Sequence, residues 1–181
     1  ACIADAICYT KKPVISVAEM KRVIVSMLTI DNFITFQNGN LVTEFYHATR
    51  TINADQPKYR ESKLFAKTRG DEHKQRFFTK ACSALERFIE FLSDDGATID
   101  YTYLWDILCT PHPSLFENGV NLVILEVPTN DITDNVNIIC PTNHYTSKMY
   151  NPTKPTLILY HQDEYYEPIY RYRTTRNQTT G

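Results

Sequence analysis

Glycine is scarce in this chain, five in 181 residues, and none of the five stands in G-x-G-x-x-G or in G-x-x-x-x-G-K-[ST] spacing. Dinucleotide and P-loop sites need those glycines so that backbone N–H groups can approach a phosphate, so both types are excluded. No run reaches the roughly 18 apolar residues of a membrane-spanning helix. The five cysteines (Cys2, Cys8, Cys82, Cys109, Cys140) lie far apart, and none belongs to a C-x-x-C pair. That spacing excludes a zinc knuckle and a thioredoxin-like motif, and free thiols in a reducing, intracellular compartment are expected. An excess of positive charge is missing too: 19 Lys+Arg stand against 21 Asp+Glu, which argues against a DNA-wrapping protein. Internal repeats and biased tracts are lacking, so collagen-like, coiled-coil and wholly disordered chains are excluded.

What remains is 43% hydrophobic and 12% aromatic residues, enough for one core of ordinary domain size. Ser16 with Glu19 three residues later forms a capping box before Val17, Met20, Val23/Ile24 and Met27/Leu28, which predicts a helix over 17–28. Asn38-Gly39 between apolar runs fits either a hairpin turn or the end of a short helix capped by Asp31; helix-then-strand is the favoured expectation. From 71 to 92 the side chains Phe77, Phe78, Ala81, Cys82, Leu85, Phe88, Ile89 and Leu92 fall on one helical face, with Gly96 as the stop. Asp100 then opens a short helix that buries Tyr101, Leu104, Trp105 and Leu108, ended by Pro111 and Pro113.

Beyond Gly119 the character changes. VNLVILEV (120–127) is a continuous, β-branched run, expected as a central strand. VNIIC (136–140) and TLILY (156–160) repeat it, Gln162-Asp163-Glu164 marks a turn, and YYEPIYRYR (165–173) is the last strand, at an edge because Pro168 has no N–H for a ladder. Helices first and strands later make an α+β fold, with N-terminal helices packed on a C-terminal, mostly antiparallel sheet. The organisation expected is an irregular segment over 1–15, one domain over 16–173 and a polar tail over 174–181. A start at Ala1 rather than Met suggests a piece of a longer polypeptide.

Several constellations could carry chemistry. Asp106, Glu126 and Asp131 (or Asp134) could gather as the carboxylates of a metal-dependent nuclease, but Pro128 stands where the usual D…E-x-K pattern needs lysine. Cys140, His144 and His161 offer a weak zinc pattern or part of a cysteine hydrolase. Lys58 to Lys80 is a basic segment that could meet nucleic acid, although Glu61, Asp71, Glu72 and Glu86 lie among or beside its cations. Tyrosine is abundant, and Tyr165, Tyr166, Tyr170, Arg171, Tyr172 and Arg173 crowd the last strand. Tyr and Arg dominate protein interfaces, and an edge strand can pair with another chain, so this margin is the expected binding surface. The chain calls for no cofactor.

Two resemblances stand beside these readings. TLILYHQDEYYEPIY resembles the closing strands of ovarian-tumour-type deubiquitinases, and QNGNL resembles their nucleophile turn. That family places Cys after Gly-Asn and His before the aromatic pair. Here Leu41 and Glu164 occupy those positions, which implies at most an inactive relative. Over residues 25–172, FQNGNLVTEFY, IDYTYLWDIL, NLVILEVPTNDITDNVNIICPTNHYTSKMY and PTLILYHQDEYYEPIYRY together resemble a conserved region of large proteins from nucleocytoplasmic giant DNA viruses. The resemblance implies a module of a long viral polypeptide, in host cytoplasm or particle, and carries over no catalytic residue. Every catalytic pattern lacks an obligatory member, so a non-catalytic interaction or structural module is the leading expectation and a nuclease the second.

Overall fold

The computed structural model describes residues 1–11, 14–49, 52–129, 135–139 and 150–171. The first fifteen residues, expected to be irregular, carry helix α1 (Cys2–Lys11). Ile3, Ala4, Ala6 and Ile7 recur at helical spacing and are buried, so core contact stabilises a helix too short to persist alone. Helix α2 (Val17–Met27) begins at the expected cap with one half of the expected box: the Ser16 hydroxyl accepts the Glu19 N–H at 3.1 Å, and Met20 and Ile24 turn inward.

The ambiguous stretch that follows resolves as helices, with no strand. Helix α3 (Ile30–Phe33) is capped by Thr29 and Asn32 reciprocally, not by Asp31. A 3₁₀ turn (Phe36–Gly39) leads directly into α4 (Asn40–Phe45). Asn38-Gly39 does supply the positive φ its sequence promised, but within a left-handed turn between helices. Burial of Leu41 and Val42 against the helical core decides for helix. Asp31 serves a different element, accepting from Ser62 Oγ at 2.7 Å and from the Leu64 N–H at 3.3 Å at the start of α6 (Lys63–Lys67), just past α5 (Pro57–Arg60).

Helix α7 (Glu72–Ser93) is the axis of the helical layer, and α2, α3, α4 and α6 pack around it. Its buried face is the expected one except for Phe77, which is 54% exposed. Near the N-terminal end of α7 only Phe78 of this pair meets the core, whereas farther along Ala81 to Leu85 are buried in succession. Phe33, Phe45, Phe88, Phe91 and Tyr103 form a continuous aromatic cluster between α3, α4, α7 and α8 (Tyr101–Cys109).

Four strands follow, β1 (Asn121–Glu126), β2 (Asn137–Ile139), β3 (Thr156–Gln162) and β4 (Tyr165–Pro168), in the order β2-β1-β3-β4. The fold is α+β, with a mixed sheet: both outer pairings are antiparallel and the central β1–β3 pair is parallel. VNLVILEV is central and β4 lies at an edge. The last strand is shorter than expected, ending at Pro168, with Ile169 N–H adding one further bond to Ile158 O at 2.8 Å. Leu122, Ile124, Leu157 and Leu159 point to the inner face, where α8 and α1 lie. Val123, Leu125, Ile158, Tyr160 and Tyr165 belong by alternation to the outer face.

Candidate functional site

Three places concentrate the residues singled out above. At the margin, the two-residue turn Asp163–Glu164 joins β3 to β4, with Asp163 at φ 53°. The Ile169–Ile158 bond fixes which β4 groups face the ladder: Tyr165, Glu167 and Ile169 bond inward, so Tyr166 and Pro168 turn their backbone groups outward. Pro168 therefore costs the ladder nothing, and it removes an N–H from the free edge. Within β4 that edge keeps a single N–H donor, on Tyr166, and is poorly suited to strand addition.

The tyrosines divide by face. Tyr165 is 58% exposed on the outer side, and its hydroxyl donates to Glu167 Oε2 at 3.1 Å. Tyr166 turns inward, stacks on His161 (centroids 4.2 Å apart) and donates to Asp100 Oδ2 at 3.2 Å. Burial first, then the Asp100 charge, holds its phenol well above the usual range. Tyr170 stacks on Tyr9 of α1 at 4.1 Å, so α1 covers part of the margin. Arg171 is exposed. Tyr172 and Arg173 lie outside the described residues, as do Asp131, Asp134, Cys140 and His144.

Across the central parallel pair, Glu126 and His161 are register partners at the C-terminal ends of β1 and β3. His161 Nε2 donates to Asp163 O at 2.7 Å, since a carbonyl can only accept. Glu126 Oε1 lies 3.3 Å from Nδ1 but out of line, so this buried nitrogen has no hydrogen-bond partner. Tyr101 meets the ring edge-on, and burial, with Asp100 and Glu126 nearby, raises its phenol. With Nε2 held by the Asp163 carbonyl and Nδ1 near Glu126 but unbonded, the carboxylate does not orient the ring as in a hydrolase dyad, and the flanking tyrosines are held neutral and supply no nucleophile.

Of the three nuclease carboxylates, Asp106 accepts the Gln37 N–H at 2.8 Å, while Glu126 faces His161. Tyr101, which meets His161, precedes Asp106 by five residues, about 140° round α8, so the two carboxylates serve different faces of that helix. Among the described residues no group of three or more His, Cys, Asp or Glu side chains could hold a metal ion. Leu41, at the nucleophile position of the protease-like turn, is buried in the core. Burial pushes the Cys82 thiol up to about 12 and the Cys109 thiol up to about 11, so neither is an available thiolate.

Part of the basic segment is balanced locally. Lys58 pairs with Glu86, Lys74 with Asp71 at 3.1 Å, Arg76 with Glu72 at 3.5 Å, and Arg60 with Asp55 at 3.7 Å. Lys80 lies over the Tyr46 ring.

The Glu126–His161 pairing was not legible in the sequence, although both residues close similar apolar runs, NLVILE and TLILYH. Only a parallel register brings those two ends together. Comparison with family models, with curated proteins and with solved structures finds no match to this chain.

Proposed function

We propose that this domain is a non-catalytic interaction module of a larger, viral polypeptide, and that it docks a protein partner through side chains on the outer face of its sheet, from β2 across to the tyrosine-bearing margin. One observation carries the reading: Ile138, Leu125 and Tyr160 stand side by side across three strands, with Tyr165 packed against Tyr160, and Ile138 and Tyr165 are 69% and 58% exposed. Exposed aliphatic and tyrosine side chains in one cluster are the usual material of an interface centre. Side-chain docking, not strand addition, is favoured because Pro168 blunts the β4 edge. The viral assignment rests on the sequence resemblance alone.

The test is capture by the domain of protein from the parent polypeptide, with Ile138→Asp/Tyr165→Ala set beside wild type and Arg60→Ala. Loss of about tenfold in affinity for the double variant alone, with circular dichroism unchanged, is the expected outcome. Equal capture by all three would refute the proposed face.

A further inference from the structure

Between the helical layer and the inner face of the sheet lies a cavity of about 460 Å³. Ile24, Leu92, Leu104, Leu108, Leu122 and Leu159 form its wall, and all six are buried members of the core. Elements α2, α7, α8, β1 and β3 thus converge on a space that their side chains do not fill. Interiors of folded domains are packed to crystal-like density, with few voids larger than a water molecule. A volume of this size is in the range of small-molecule sites, and an apolar wall favours an apolar guest over water.

The mouth is polar. Exposed Asp95 and Glu164 mark it, and Lys21 is the one side-chain cation among the described lining residues. The Lys21 side chain is only 15% exposed, and its Nζ donates to Asp94 O at 2.8 Å and pairs with Asp95 Oδ1 at 3.2 Å. An ammonium carries three donors, and those two contacts use two of them. The Asp95 carboxylate is 96% exposed, so its hold on Lys21 is weak and exchangeable for another carboxylate.

We infer that this cavity binds one medium-length aliphatic carboxylic acid, with the chain against the leucine and isoleucine wall and the carboxylate on Lys21. A singly charged head fits better than a phosphate dianion, because Asp95 and Glu164 share the mouth. The inference does not rest on the docking face: Tyr165 borders the cavity as well as that face, whereas Ile138 belongs to the outer face alone and is not among the cavity-lining residues.

Titration of the full chain with sodium dodecanoate and, separately, 1-dodecanol, followed by calorimetry, tests it. Saturable binding of one dodecanoate per chain is expected. Leu104→Trp fills the cavity and weakens both ligands by at least about tenfold, and Ile24→Phe serves if that variant does not fold. Lys21→Met keeps the stem and removes the charge, and weakens dodecanoate by about tenfold while leaving dodecanol within about twofold. Absence of saturable dodecanoate binding, or wild-type affinity in the folded cavity-filling variant, overturns the site. Unchanged dodecanoate affinity in Lys21→Met overturns the carboxylate assignment. Ile138→Asp leaves both affinities unaltered, so failure of the docking face and failure of the cavity are read separately.

Discussion

Gln37 and Asn38 are consecutive non-glycine residues at φ 47° and 57°, followed by Gly39 at 86°. Left-handed backbone costs an ordinary residue about 1–2 kcal/mol, so the turn persists only because other groups hold it. Asp106 accepts the Gln37 N–H, and the Gln37 side chain donates to Thr102 O at 2.7 Å. Asp106→Ala therefore costs about 1–3 kcal/mol in urea unfolding, since it leaves a strained N–H without its acceptor. Asp106→Asn keeps an acceptor and behaves differently with pH. Burial raises the Asp106 carboxyl above its ordinary 3.8, against the lowering effect of the Gln37 N–H. The stability linked to its protonation is fully present below that ordinary value and is lost as pH rises through the raised one. Relative to wild type, the Asn variant should gain stability across that window and hold the gain at neutrality. A constant difference from acid to neutral pH would show that folding does not raise the Asp106 carboxyl.

At the level of elements, the sheet depends on how β3 is delivered beside β1 in parallel. Gly119 makes the close turn out of α8: a Cβ there would stand 2.2 Å from Cys109 O, and its φ is 70°. The next residue, Val120, bonds Leu108 O at 3.2 Å. Asn121, itself buried, then clamps the approach to β3: it donates to Asn151 O at 2.8 Å and Lys154 O at 3.2 Å, and accepts from the Asn151 N–H at 2.9 Å. Its own N–H donates to Pro155 O at 2.8 Å, which sets the register. Asn121→Ala should cost about 2–3 kcal/mol by thermal or chemical unfolding, with buried backbone groups left unpaired. Asn121→Asp should cost more, because its carboxylate faces the two carbonyls. Losses below about 0.5 kcal/mol for both would mean that the register is set elsewhere.

For the molecule as a whole, one hydrophobic cluster runs without a break from α1 through the helical layer to β3. Ile7 is almost fully buried in it, so α1 is part of the cooperative unit. Ile7→Ala should lower stability by about 2–4 kcal/mol, and the loss should appear at the same midpoint by far-UV circular dichroism and by Trp105 fluorescence. Separate midpoints would make α1 an appendage. The cavity belongs to the same layer contact: the residues that join α1, α2 and α8 to the sheet also line the space between them.

Local physics alone determined several elements from the sequence. The apolar stripe of α7, the β-branched run of β1, the Ser16 cap and the helix start at Asp100 depend on spacing of about a turn, and each stands where the residues placed it. The candidate docking surface was legible in part, because tyrosine density and Pro168 mark an edge, whereas the division of Tyr165 from Tyr166 needed the register of β4 on β3. Tertiary contact decided the rest. QNGNL could be a hairpin or a helix junction with nearly equal local cost, and burial of Leu41 against α7 and the Asp106 bond chose the junction. The Glu126–His161 pair and the cavity depend on partners 35 and more residues apart, and separations of that size leave no trace in periodicity or capping.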